Sequence, residues 1–217
     1  DVSWLSSPLN VAWGLEWRGE GFKQTAGELA SYVNGGVLIP PVLPATVGTP
    51  APSGSQVFPG FRPADAGNFN RESYSVYLDL EADITDRFNV GVAVRAEDYS
   101  DFGDTTSGKV SARYDFNDAV ALRGTVSTGF RAPSLQQQFF RSTATNFIGG
   151  VPFDIRTFRV NDAAAIALGA EPLKAEESKN LSLGLVLQPV DNLYITVDAY
   201  RIDIDDRVML SENLTST

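Results

Sequence analysis

The sequence predicts an all-β chain: an antiparallel transmembrane β-barrel segment of about seven strands with long extracellular loops. Three observations predict it. Side chains alternate apolar and polar with a period of two, which is the period of a strand. The alternating stretches run about 10–12 residues, long for a soluble sandwich and suited to crossing hydrocarbon at a tilt. The connections switch between very short and very long, as the periplasmic turns and extracellular loops of outer-membrane barrels do.

The elements follow in order. Leu9, Val11, Trp13, Leu15 and Trp17 alternate with Asn10, Ala12, Gly14, Glu16 and Arg18, predicting a strand over 9–18. A long loop is expected over 19–70. The cleanest strand, 72–84, sets Tyr74, Val76, Leu78, Leu80, Ala82 and Ile84 against Ser75, Tyr77, Asp79, Glu81 and Asp83. Thr85-Asp86-Arg87 turns the chain into a strand over 88–98, with Phe88, Val90, Val92 and Val94 on its apolar face. After a loop at 99–106, a strand over 108–116 alternates Val110, Ala112, Tyr114 and Phe116 with Lys109, Ser111, Arg113 and Asp115. Asn117-Asp118 turns again, and 119–130 follows with Val120, Leu122, Val126 and Phe130 on one face. The second long loop is 131–176. Leu181, Leu183, Leu185 and Leu187 mark a strand over 177–188, and Pro189–Asn192 turns it into the last, 193–204, whose faces blur near Ile202 and Ile204.

Aromatic residues gather toward strand ends (Tyr74, Phe88, Tyr99, Phe102, Tyr114, Phe116, Phe130), where interfacial girdles would place them. A β-structure in lipid must close on itself to pair every N–H and C=O. Seven strands is an odd number and bacterial single-chain barrels are even, so the chain is expected to be an open arc of a larger barrel. Residues 1–8 read as the middle of something, and Asp1-Val2-Ser3-Trp4 has neither the basic region nor the apolar core of a signal peptide. A soluble sandwich, as an enzyme or binding module, remains the competing fold.

Composition narrows the function. The 217 residues are 43% hydrophobic, which argues against disorder. There is no cysteine and no histidine, so thiolate or His-bound metal sites and His-dependent acid–base catalysis have no residues to use. A formal charge of −10 disfavours nucleic acid as a partner, since neutralising phosphates needs a basic face. No catalytic constellation, cofactor or resident metal is expected. Asp98, Asp101 and Asp104, and Asp203, Asp205 and Asp206, are close enough to suggest a hard-cation site, but solvated acidic loops explain them more simply. Asp79, Glu81, Arg95, Glu97 and Arg113 are expected to form a cross-strand charge ladder on a polar lumen wall.

The two long loops differ. Residues 34–67 are rich in Gly and Pro, including Gly35-Gly36, Pro40-Pro41, Pro44 and Pro59-Gly60, and predict a surface loop with little regular structure. In the second loop, Asn161-Asp162 are placed to cap a short helix over 163–168, with Gly169 stopping it. Gln136, Gln137, Gln138, Phe139, Phe140 and Arg141, with Arg131 before them, bring amides, rings and guanidinium groups to the top of a strand. They are the candidate substrate-binding residues, able to hold a polar ligand by hydrogen bonding and stacking; loop-to-loop packing is the alternative use of the same side chains.

Four segments carry a family resemblance. Gly129-Phe130-Arg131-Ala132-Pro133-Ser134 resembles the GFRAPS segment of TonB-dependent receptors, and Arg95–Gly103 their R-EDYSDFG strand exit. Pro172–Leu181 is similar to their LKPE-S-N-ELG strand entry, and Val197–Ile204 to their D-Y-IDI strand. The resemblance spans about 70–212; residues 9–18 fit more loosely, and 19–70 carry no family signal. It implies a bacterial outer-membrane barrel of about 22 strands filled by a plug. It also implies active uptake of a scarce nutrient, a ferric siderophore or carbohydrate-like ligand, driven by the TonB complex acting through the plug. A plug and a TonB-contacting segment are not recognised in these residues, so this chain is expected to supply wall and ligand loops. A passive porin-like or adhesive barrel is the alternative. Residues 131–176 hold no histidine, which disfavours haem as cargo.

Overall fold

The computed structural model describes residues 5–41, 47–55, 59–149 and 151–214; Asp1–Trp4 and Pro44 lie outside them. In chain order the elements are β1 (Asn10–Gln24), β2 (Leu38–Ile39), β3 (Thr49–Pro50), β4 (Gly67–Thr85), β5 (Phe88–Tyr99), β6 (Gly103–Asn117) and β7 (Val120–Arg131). There follow α1 (Leu135–Phe139), β8 (Ser142–Ile148), β9 (Val151–Thr157), α2 (Ala163–Ala167), β10 (Glu176–Val190) and β11 (Leu193–Asp205). The chain divides into two units, Asp1–Gly19 with Arg71–Pro133 and Lys174–Val208, and Glu20–Asn70 with Ser134–Leu173 and Met209–Thr217.

The first unit is the sheet. Its order is β1-β4-β5-β6-β7-β10-β11, an open antiparallel arrangement of seven strands in which β1 and β11 are edges. Each short turn closes after a register irregularity: between Asp83 and Thr85, Asp115 and Asn117, and Leu187 and Val190. The extra residue is what a bulge inserts, and it sharpens the local twist at the turn. Asn192 takes a left-handed conformation, φ 66°, which an Asn tolerates in a tight turn.

Register fixes the faces. Leu80, Val92, Val110, Val126 and Leu181 stand side by side on five neighbouring strands, and Ser111, Thr125 and Ser182 share the opposite face. The sheet is inverted relative to a water-soluble one. Trp13, Leu15, Trp17, Val110, Val126 and Leu183 are exposed, whereas Arg71, Ser73, Ser75 and Glu176 are buried. Water would penalise that arrangement and hydrocarbon would favour it. On the apolar face Phe88, Tyr114 and Phe116 form a chain of ring contacts near the short turns, with centroids 6.3 and 5.0 Å apart.

Two expectations are corrected, and a third is explained. Tyr99 does not sit with the girdle; it is buried on the polar face. The charge ladder runs largely along strands, pairing Arg95 with Glu97 and Arg113 with Asp115, two residues apart on one face. Among the ladder's other members, Glu81 accepts a hydrogen bond from Asn89. At the far edge, Leu181 faces Arg201 and Asn180 faces Ile202, so Tyr200, Ile202 and Ile204 share the polar face. That is the origin of the blurred pattern at this strand.

The second unit holds the long segments. Among its described residues the long segment 20–66 holds the two-residue pair β2–β3 and two 3-10 turns, Leu29–Ser31 and Pro63–Asp65. The other stretch is more ordered: a hairpin, β8–β9, turns at Gly149, φ 59°, and lies between α1 and α2. Asp162 stands at the N-cap of α2 but caps nothing with its side chain, which instead accepts the Arg159 N–H at 3.2 Å. Gly169, φ 95°, follows that helix.

Candidate functional site

In the first unit the long-loop ends of the strands bring three of the family-like segments together. The Arg71 guanidinium, at the start of the β4 part of this unit, donates to the Pro133 carbonyl at 2.6 Å. It lies 3.5 Å from the Asp101 carboxylate and 5.3 Å from the centre of the Tyr99 ring. Tyr99 stacks on Phe102 at 4.6 Å, meets the edge of Phe130 at 6.0 Å, and donates its hydroxyl to Glu97 at 2.9 Å. Glu97 also pairs with Arg95, which reaches Glu16 of β1 at 2.9 Å and Ser75 at 2.8 Å. Arg131 pairs with Glu176 at 3.4 Å, directly opposite in the register of β7 and β10. Glu176 accepts in turn from the Val208 N–H. The arrangement is a fastened rim.

The remaining sequence-predicted site residues lie in the second unit, in and after α1. Ser134 and Gln137 form a reciprocal capping box at 2.9 and 3.1 Å, which is why a five-residue helix holds there. Gln138 is buried and Gln136 is exposed. Phe139 lies parallel to Phe69 with centroids 4.1 Å apart, and Phe140 meets Phe61 edge-on at 5.9 Å. Arg141 Nε sits 3.2 Å from the Asp65 carboxylate, close enough for an ion pair but without hydrogen-bond alignment, and its Nη1 is 3.5 Å from Asp162. Within this unit, then, Phe139, Phe140 and Arg141 hold the loops to one another, Gln137 closes the helix cap, and the Gln136 side chain is presented to solvent.

Three residues that sequence reasoning missed organise these contacts. Asp65, 1% exposed, is the buried carboxylate facing Arg141 and accepting the Arg62 N–H. Arg159 donates to the carbonyls of Phe139 and Asp65 at 2.9 and 2.7 Å and covers the face of Phe69. Arg71 does the corresponding work at the rim. A lone Arg or Asp in a stretch without periodicity gives no sequence signal of burial, because its partners come from segments 60–100 residues away.

Three of the six acidic residues suspected of cation binding are met by cations of the protein. Asp101 faces Arg71, Asp203 faces Arg201 at 2.9 Å, and Asp205 faces Lys179 at 3.5 Å. Among the described residues no group of three or more acidic side chains is placed to hold a metal ion. No helix among them is long and apolar enough to cross a membrane, which says nothing of crossing by strands.

An inverted sheet with fastened long-loop ends is the geometry of a barrel wall, and the comparisons give its kind. The family described as TonB dependent receptor-like, beta-barrel, matches residues 3–217. The chain belongs to that family. A curated relative, the probable TonB-dependent siderophore receptor PirA of Acinetobacter baumannii, is 26% identical over 146 residues, covering 66% of this chain. The chain spans 18% of that relative's length. Among solved structures, the siderophore receptor PirA from Acinetobacter baumannii aligns over 92% of this chain and 25% of its own, with a TM-score of 0.60 at 18% identity. A ferric enterobactin receptor (PfeA) from Pseudomonas aeruginosa aligns over 90% and 24%, with a TM-score of 0.58 at 16% identity. These likenesses establish the fold. The family is one of outer-membrane β-barrel receptors, and the relatives named here are siderophore receptors by description.

Proposed function

We propose that this chain is wall and ligand-loop surface of a receptor that imports a ferric siderophore across the bacterial outer membrane, energised by the TonB complex. The observation that carries the reading is the inverted sheet, apolar outside and polar inside, matched to the receptor family over residues 3–217. The description of the curated relative as a siderophore receptor supports the choice of cargo. Hydrocarbon lipid is the partner of the apolar face, and the role is transport, with no bond made or broken.

In this reading Gln136, exposed, faces the ligand with the Gln137 amide beside it, and Arg131, exposed on the first unit, is a separate candidate contact. Phe139, Phe140 and Arg141 hold the loop from which Gln136 projects, and Gln138 is buried beside them in sequence. Hydrogen-bond donors on a supported loop suit a polar iron chelate.

The test is uptake of radioactive iron by cells that express the full-length gene and make no siderophore of their own, supplied with ferric catecholate and ferric hydroxamate complexes. Accumulation that disappears when TonB is deleted is the expected result. Accumulation that persists without TonB would mean a passive barrel, and no accumulation of any complex would remove siderophores as the cargo. Gln136→Ala should weaken binding of the transported complex without changing assembly of the barrel.

A further inference from the structure

We propose that Lys179 and Arg201, on the lipid-facing side of the sheet, form a contact site for the phosphate groups of lipid headgroups at the long-loop edge of the membrane. This rests on the membrane reading of the apolar face. Register places both side chains there. Lys179 follows Leu185, Leu183 and Leu181 on one face of β10, and on β11 Arg201 stands opposite Leu181 and Asp203 opposite Lys179. Lys179 is 69% and Arg201 76% exposed. A charge on this face is costly at the bilayer midplane and nearly free at the surface, so the first charged residue on each strand marks where the hydrocarbon ends.

Those marks form one line. They are Glu72 on β4, Asp98 on β5, Asp104 on β6, Lys179 on β10 and Arg201 on β11; β7 carries no charge on this face up to Phe130. The register row of Arg201 runs back through Leu181, Val126, Val110 and Val92 to Leu80, about eight residues nearer the short turn than Glu72. The line therefore descends steadily from β4 to β11, over five steps between neighbouring strands. At about 3.3 Å per residue and about 4.8 Å between strands, that descent corresponds to a strand tilt of about 48°, close to the roughly 45° at which strands cross a bilayer. The line is thus level with the membrane, and headgroups are what lies along it. Its sign changes on the way: acids lead on β4, β5 and β6, cations on β10 and β11. Phosphates are repelled from the first stretch and drawn to the second. Asp205 takes the Lys179 ammonium at 3.5 Å, and Asp203 takes Nε and Nη2 of Arg201 at 2.9 and 3.2 Å. Ion pairs so exposed contribute little, and two ammonium donors and the Arg201 Nη1 lie outside them, so both cations can turn to a phosphate at the same height.

Native mass spectrometry of the full-length receptor in nonionic detergent tests this, with diphosphoryl lipid A and the same lipid freed of its phosphates as probes. The parent should retain the phosphorylated form about tenfold more tightly, and the Lys179→Gln/Arg201→Gln double variant should lose most of that preference. Lys109→Gln, which removes a cation from the polar face, should leave the preference unchanged. Should the double variant not assemble, Lys179→Gln and Arg201→Gln are read singly, and each should lose part of it. No preference in the parent, a preference that survives removal of both cations or of either one, or an equal loss from Lys109→Gln would each overturn the site. Displacement of the lipid by inorganic phosphate, but not by chloride at the same ionic strength, would mean a site for the free anion and would overturn the lipid assignment. A receptor that stays in solution without detergent would overturn the membrane reading and this site together, whereas one that needs detergent and shows no preference overturns the site alone.

Discussion

Val126 offers the sharpest test of which face meets lipid. It lies at the middle of β7, a strand of 12 residues. At about 3.3 Å per residue such a strand is about 40 Å long, and a tilt of about 40° reduces its span to about 30 Å, the thickness of the hydrocarbon layer. Val126 therefore sits about 15 Å from either surface, where an Arg on the lipid face of a barrel costs about 2–4 kcal/mol. Its neighbours on the same face are Val110 and Leu181, so no carboxylate is at hand to receive the charge. Thr125, one residue away, faces Ser111 and Ser182 on the polar side, where Thr125→Arg should change stability by no more than about 0.5 kcal/mol. The two variants differ by one position and one face. Measured as reversible unfolding of the full-length receptor in lipid vesicles, Val126→Arg should lower the folding equilibrium constant by about 30-fold to nearly 1,000-fold. Equal losses at both positions, or a harmless Val126→Arg, would refute the assignment of faces and with it the membrane reading.

Other perturbations follow from single contacts. A Cβ at Gly184 would overlap the Asp198 carboxylate and the Arg123 guanidinium, whose Nη2 donates to both Asp198 oxygens across β10 at 2.9 and 3.0 Å; Gly184→Ala should therefore abolish the coupling between Arg123 and Asp198 in a double-mutant cycle, about 0.2–1 kcal/mol for so exposed a pair. Phe69→Ala and Phe139→Ala should each loosen the loop unit, and their cycle should give a coupling of about 0.5–1.5 kcal/mol, read as protection against limited proteolysis. Asp65→Ala leaves the Arg141 charge without its nearest carboxylate and the Arg62 N–H without an acceptor, so local opening of the same unit should become easier by about 2–3 kcal/mol in hydrogen exchange.

How much was legible follows the solvent on each side of the strand. Where one face meets lipid and the other a polar wall, alternation is enforced, and the seven strands can be read directly from Leu, Val and Trp spacing. Beyond the hydrocarbon both faces meet polar surroundings and the alternation fades, so β1 running on to Gln24 and β4 beginning at Gly67 look like loop in sequence. The β8–β9 hairpin carried a signal that was passed over: a Gly-Gly pair between two stretches with Thr, Ile and Phe in alternation, of which Gly149 takes φ 59°. Tyr99 was misplaced because a ring near a strand end reads as a girdle residue, and only its parity with Arg95 and Glu97 reveals the polar face. Of the site, the Gln136–Arg141 stretch was visible as a set of binding-capable groups. Its division into loop-holding residues and the solvent-facing Gln136 was not, since the partners Asp65, Phe69 and Arg159 lie in other segments.

The direction of the ion pairs on the polar wall bears on what holds the strands in place. Arg95–Glu97 and Arg113–Asp115 join residues two apart on one strand, where same-face side chains are about 6.6 Å apart and a long guanidinium bends back easily. Such a pair lies within its own strand and adds nothing to the registry between strands. Registry is instead set by the apolar face, where a one-residue slip would drive polar side chains into lipid, and by the bulged turns. The cross-strand ion pairs cluster at particular heights: Arg95–Glu16, Arg131–Glu176 and Lys179–Asp205 toward the long loops, Arg123–Asp198 over Gly184. Neutralising Arg113 and Asp115 together should therefore shift stability by less than about 0.5 kcal/mol, while Glu16→Gln, which removes a tie between β1 and the inner strands, should speed exchange in β1 alone. A large loss from the Arg113/Asp115 double variant would mean that the wall charges fix the sheet, and that the lipid-facing pattern is not sufficient to hold its register.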